Sequence, residues 1–261
     1  MEFTTSDGLT LAYDDIAPPD YERAILLVHG FVSNRDEGWK RTGWYTALER
    51  RRFRVIALDQ RGHGKSATPH DPAAYGRDKQ ARDVVELMDL LGVNRVDLFG
   101  YSMGARVAAQ AAVTYPERFS NLILGGVGDK MLEESSRSRT DVVAEAMLAE
   151  DPASISDDFM RSFRHFADEQ GEDRMALAAF SRAASPPLDV AAFGTLPMPV
   201  LVVAGSRESN GDPEALAQAF PLGKGVVVPG CDHFSAIPHA LTKAAVFDFI
   251  DGVLDDPWAR Y

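Results

Sequence analysis

Four short apolar runs recur without alternation along the first half of the chain: Ala24-Ile25-Leu26-Leu27-Val28, Arg54-Val55-Ile56-Ala57-Leu58, Val96-Asp97-Leu98-Phe99 and Asn121-Leu122-Ile123-Leu124. A strand with one wet face alternates apolar and polar residues. A run that does not alternate suits a strand covered on both faces, as in a parallel sheet. Helical patterns lie between the runs. Residues 77–91 set Ala81, Val84, Val85, Met88 and Leu91 on one stripe, with Arg77, Lys79, Arg82 and Asp83 largely outside it. Residues 103–115 are rich in alanine, a strong helix former that packs closely on a sheet. Strand, helix and strand repeated in this order imply right-handed crossovers and a mostly parallel central sheet with flanking helices.

A hairpin is expected at the N-terminal end, where Asp7-Gly8 separates Phe3-Thr4-Thr5 from Leu9-Thr10-Leu11-Ala12-Tyr13. The alternation stops near Gly128, and from 129 to 195 the pattern is helical throughout, with Phe159, Phe163 and Phe166 at helical spacing and Met160 beside the first. Pro199-Val200-Leu201-Val202-Val203-Ala204 then restores a buried strand. A helix from Pro213, the strand Gly225-Val226-Val227-Val228 and a final helix over roughly 236–254 follow. The expected organisation is an α/β core (1–128 and 196–261) interrupted by a helical insertion (129–195). A chain of 261 residues accommodates this as one domain with an insertion.

With 27 basic and 39 acidic residues the formal charge is −12, which argues against nucleic acid or an anionic membrane surface as partner. Arg50-Arg51-Arg52 reads as the exposed end of a helix. No basic start followed by an apolar run marks a signal peptide, and no apolar stretch approaches the length of a membrane helix. The single cysteine, Cys231, fits a reducing compartment, so a cytoplasmic location is expected. Oligomeric state is left open.

The strongest chemical signal is Gly100-Tyr101-Ser102-Met103-Gly104, placed between a strand and a helix. Glycines two positions either side of a serine permit a sharp turn that exposes its hydroxyl at the strand's carboxyl end. A glycine-rich turn with an incidental serine is the plainer reading, but the strand–helix junction favours a nucleophile. A serine needs a base, and the candidate is His233, in Gly230-Cys231-Asp232-His233-Phe234 after the last strand. His29, His63, His70, His165 and His239 are weaker candidates, and none shares metal-ligand spacing with another histidine, so no metal is expected. A carboxylate should orient the imidazole. Glu208 and Asp212 both follow the strand 200–204. Asp212 precedes a proline and a helix, as an N-cap would, so Glu208 is preferred and Asp212 stays open.

These motifs resemble the α/β-hydrolase superfamily over nearly the whole chain. They are His29-Gly30-Phe31, Asp59-Gln60-Arg61-Gly62-His63-Gly64-Lys65-Ser66 and the serine turn, with the chain order Ser102, carboxylate, His233. The resemblance implies that the backbone N–H groups of Phe31 and Met103 form an oxyanion hole, that the insertion is a cap over the pocket, and that no cofactor is needed. Aspartate is usual in the family where Glu208 stands, although some relatives use glutamate. Gly64-Lys65-Ser66 ends like a phosphate-binding loop but lacks its leading glycine, since Asp59 stands there. Relatives that open epoxides or remove halides carry aspartate at the nucleophile position, so serine points to acyl chemistry. The expected activity is hydrolysis of a carboxylic ester on a small molecule through an acyl-enzyme at Ser102. Carbon–carbon bond hydrolysis and acyl transfer are the nearest alternatives. A small-molecule receptor that retains the triad is the rival from another class.

Overall fold

The computed structural model describes residues 1–133, 137–185 and 187–252. Its strands are β1 (Glu2–Thr4), β2 (Thr10–Ile16), β3 (Arg23–Val28), β4 (Phe53–Leu58), β5 (Val96–Tyr101), β6 (Phe119–Gly125), β7 (Val200–Gly205) and β8 (Gly223–Val228). They form one eight-stranded sheet in the order β1-β2-β4-β3-β5-β6-β7-β8. β1 and β2 make the antiparallel hairpin, with Gly8 at φ +87°, and β2 pairs antiparallel with β4. Every other pairing is parallel.

In chain order the helices are α1 (Trp44–Glu49), α2 (Arg77–Leu90) and α3 (Met103–Thr114), then α4 (Arg137–Leu148), α5 (Asp158–Gln170), α6 (Arg174–Arg182) and α7 (Val190–Phe193) between β6 and β7, and finally α8 (Pro213–Ala217) and α9 (Ala240–Ile250). The absence of alternation in the strands now has its cause. Successive residues point to opposite faces, and both faces are covered. Leu26, Val28, Leu98, Leu122 and Val202 pack under α2 and α3. Ile25, Leu27, Phe99, Ile123 and Leu201 pack with Trp44, Leu48, Val246 and Phe249 of α1 and α9.

Between residues 129 and 195 the described residues hold helices and no strand. They build a small core of their own, in which Ala144, Met147, Ile155, Ala167 and Leu177 close on Val32 and Phe31 from the loop after β3. Glu172 ties this segment to the sheet's loops by accepting hydrogen bonds from the Gly64 N–H (2.8 Å) and the Asn34 amide (3.0 Å). The last helix starts later than its pattern suggests. Pro238 disfavours helical backbone at the residue before it, and α9 begins at Ala240, with His239 capping the Leu241 N–H at 3.2 Å. Residues 253–254 of the expected helix lie outside the described residues. No described helix is long and apolar enough to cross a membrane.

The β5–α3 junction depends on close backbone approach. A Cβ at Gly104 would stand 2.0 Å from the Val28 carbonyl oxygen, and one at Gly100 would stand 2.1 Å from the Gly104 oxygen. Neither neighbour can yield, since both are backbone. Gly104→Ala should therefore cost about 3 kcal/mol or fail to fold. Gly194→Ala, whose Cβ would meet only the Ala191 oxygen at 3.5 Å, should stay within about 0.5 kcal/mol. Urea unfolding of the two variants checks this, and equal midpoints would refute it.

Candidate active site

Ser102 sits on the sharp turn from β5 into α3 at φ +57° and ψ −113°. A residue with a side chain is strained there. The turn is held by the Ser102 N–H, which donates to the Gly125 oxygen at 2.8 Å. Ser102 Oγ lies 3.0 Å from Nε2 of His233, and Nδ1 of His233 lies 2.8 Å from Oε2 of Glu208. An ionised carboxylate only accepts, so Nδ1 carries the hydrogen and Nε2 is left to accept from the serine O–H. The imidazole is 9% exposed and the Glu208 side chain 1%, so water competes little for the bond between them.

Glu208 and His233 come from the turns after β7 and β8, at the same end of the sheet as Ser102. The Asn210 N–H donates to Glu208 Oε1 at 3.1 Å, while the Asn210 amide reaches the Gly126 oxygen at 3.2 Å. Tyr101, the residue before the serine, donates its hydroxyl hydrogen to the His233 carbonyl at 2.7 Å. Asp212 is elsewhere employed. It caps α8 by accepting from the Glu214 N–H at 2.8 Å, and its own N–H donates to Asp129.

The loop after β3 runs beside the serine. A Cβ at Gly30 would be 3.3 Å from that of Ser102, and Val32 adopts φ +54°. Met103 is the first residue of α3, so its N–H has no partner in the preceding turn. His29 lies under this loop, fully buried. Its Nδ1–H donates to the Gly30 oxygen at 2.8 Å and its Nε2 accepts the Gln60 N–H at 3.0 Å. Burial holds His29 down at about 4 and His63, whose ring is 5.3 Å away, at about 3. Both are thus neutral packing groups at ordinary pH. His63 in turn meets the Phe31 ring edge-on at 5.7 Å.

A cavity of about 680 Å³ opens here, with Phe31, Met103, Arg77, Gln80, Arg106 and Phe180 in its wall. The three phenylalanines of α5 divide. Phe163 stacks on Phe31 at 6.2 Å and stands 5.6 Å from Phe234, next to the histidine. Phe159 touches Phe163 and is 41% exposed, whereas Phe166 packs against the insertion's own core. Tyr101, Asn210, Phe180 and the polar wall residues carried no sequence signal that separated them from ordinary packing or solvent-facing positions. No group of three or more potential metal ligands occurs among the described residues.

A family model for the alpha/beta hydrolase fold matches residues 23–147. The chain is 36% identical over 126 residues to the putative 2-succinyl-6-hydroxy-2,4-cyclohexadiene-1-carboxylate synthase of Bacillus subtilis, which covers 48% of this chain and 43% of that protein. It is 30% identical to the putative carbamate hydrolase RutD of Variovorax paradoxus across 92% of this chain and 94% of that protein. Among solved structures, a thermophilic esterase from Thermogutta terrifontis superposes with a TM-score of 0.77 at 25% identity, covering 97% of this chain and 98% of its own. The chain belongs to the α/β-hydrolase fold family.

Proposed function

We propose that this protein is a serine hydrolase of carboxylic esters, acting through an acyl-enzyme on Ser102. The observation that carries the reading is the hydrogen-bonded line Ser102–His233–Glu208 at a strained strand–helix turn. In the first half-reaction Ser102 Oγ attacks the ester carbonyl while its proton passes to Nε2 of His233. Glu208 fixes the tautomer and stabilises the imidazolium that forms. The carbonyl oxygen, now an anion, accepts from the N–H groups of Phe31 and Met103, at the N-terminus of α3 where the helix dipole favours negative charge. His233 then gives its proton to the departing alkoxide. In the second half-reaction a water, deprotonated by His233, releases the acid and restores Ser102. The route uses no cofactor. Residues 129–195 act as a cap over the pocket, between core segments 1–128 and 196–261.

The esterase likeness and the carbamate hydrolase relative both support chemistry at a carbonyl bearing a heteroatom leaving group. Repeated turnover of 4-nitrophenyl butyrate, with fluorophosphonate labelling confined to Ser102, is the expected result. One turnover or fewer, with tight retention of the ester, would instead identify a receptor. The cap reading has its own consequence. Phe163→Ala removes the ring that spans Phe31 and Phe234, so the ratio of octanoate to acetate ester kcat/KM should shift by about 10-fold, equivalent to roughly 1.4 kcal/mol of lost apolar contact. An unchanged ratio with a large fall in melting temperature would reduce Phe163 to a packing residue.

A further inference from the structure

The wall of the 680 Å³ cavity is electrically unlike the rest of the molecule. The chain as a whole carries 39 acidic against 27 basic residues. Among the described residues, the cavity wall carries Arg77, Arg106 and Arg182 against Asp141. Helical geometry accounts for the placement. On α3, Met103, Arg106 and Val107 fall at i, i+3 and i+4 and share the face toward the cavity, as Arg77 and Gln80 do on α2. Arg106 is one turn beyond Ser102, on the order of 6 Å along the helix.

Arg77 is the informative member. Its backbone N–H donates to Ser185 Oγ. No carboxylate pairs with its guanidinium among the described residues, and the opposing charge of Asp78 acts on it only at a distance. Burial and the like charge of Arg106 bring Arg77 down to about 10, so it stays cationic at neutral pH in an unfavourable setting. Arg106 is engaged elsewhere, donating to the Met131 oxygen at 3.3 Å among other contacts. Both arginines also border a smaller cavity of about 110 Å³ beside Glu133. Gln80 is buried and fixed by its own donation to Gln60 Oε1 at 2.9 Å. A half-buried guanidinium with no carboxylate partner, in the wall of a cavity that also reaches Phe31 and Met103, is stabilised by an anion, and a guanidinium matches a carboxylate in a two-pronged geometry.

We propose that the pocket selects acyl compounds bearing a carboxylate several bonds from the scissile carbonyl, received by Arg77. The half-esters of short dicarboxylic acids have that form. The placement of the scissile bond rests on the nucleophile reading of Ser102; the anion subsite itself does not. The test therefore uses the non-reacting variant Ser102→Ala and measures binding by calorimetry. Monoethyl glutarate carries the carboxylate, and diethyl glutarate of similar length lacks it. The expected result is at least about 10-fold tighter binding of the monoester, the worth of a charge-assisted hydrogen bond. Adding Arg77→Gln should collapse that ratio toward one, and Arg77→Lys should restore it in part. Equal binding of the two esters, a preference that survives Arg77→Gln, or binding of neither overturns the proposal. Turnover of neutral esters by the wild-type enzyme with no such preference leaves the hydrolase reading standing and removes the subsite. Carboxylate preference in a protein whose Ser102 never labels does the reverse.

Discussion

Ser102→Ala should lower ester turnover by at least about 10⁴-fold and abolish fluorophosphonate labelling, while the protein remains folded. The size follows from the role. On the proposed mechanism there is no acyl-enzyme without Oγ, and the N–H groups of Phe31 and Met103, proposed as the oxyanion hole, can only assist a direct attack by water. In a serine protease dissected this way, removing the nucleophile cost about 10⁶ in turnover and left only what the oxyanion hole and binding supply. Stability should move little. The lost hydrogen bond to His233 is worth about 1 kcal/mol. The strained φ of +57° persists, because alanine has the same Cβ. Ser102→Gly separates the two effects, since glycine adopts this backbone freely. It should be as inactive as the alanine variant and more stable by about 1 kcal/mol. Residual turnover within 100-fold of wild type in both variants would remove Ser102 from the mechanism.

The central elements were legible because the physics behind them is local. A strand buried on both faces shows no alternation, and β3 to β7 show none. The serine turn was legible because its glycines answer a steric demand at Val28 and Gly104 that nothing but glycine meets. Other features depended on the insertion, whose docking is not written in any one segment. Arg77 lies off the apolar stripe of α2 and reads as solvent-facing, yet residues of α6 and the loop after it turn that side of the helix into a cavity wall. Asp83 is off the same stripe and is nonetheless 2% exposed, because Arg61 reaches it at 2.6 and 2.8 Å. A buried ion pair of that kind joins residues 22 apart in the chain, and polarity alone does not reveal it. His29 and His63 were among the weaker histidine candidates, and the His63 ring, packed on that of His29 from a distant loop, proved to meet Phe31 edge-on. In each case the deciding partner is distant in sequence.

The choice between Glu208 and Asp212 is the sharpest example, and it sets opposite expectations for two conservative variants. The sequence offered two carboxylates after one strand, and only the turn geometry separates them. Glu208 reaches His233 Nδ1 at 2.8 Å with a side chain 1% exposed, whereas Asp212 spends its carboxylate on the Glu214 N–H. Glu208→Gln keeps the shape and removes the charge. The amide either accepts from Nδ1 without stabilising the imidazolium or presents its NH₂ and turns the ring to the wrong tautomer. Turnover should fall by about 10²–10⁴-fold, the upper end being the measured loss for the equivalent change in a serine protease. KM should change far less, because no substrate contact is removed. Asp212→Asn should keep turnover within about 3-fold and stability within about 0.5 kcal/mol, since asparagine caps helices as well as aspartate. Steady-state kinetics on 4-nitrophenyl butyrate, with a melting curve for each variant, reads both. If Asp212→Asn is the inactive one and Glu208→Gln turns over normally, the hydrogen bond between Glu208 and His233 has no catalytic role, and the acid must be supplied by Asp212 after a rearrangement of the loop between β7 and α8.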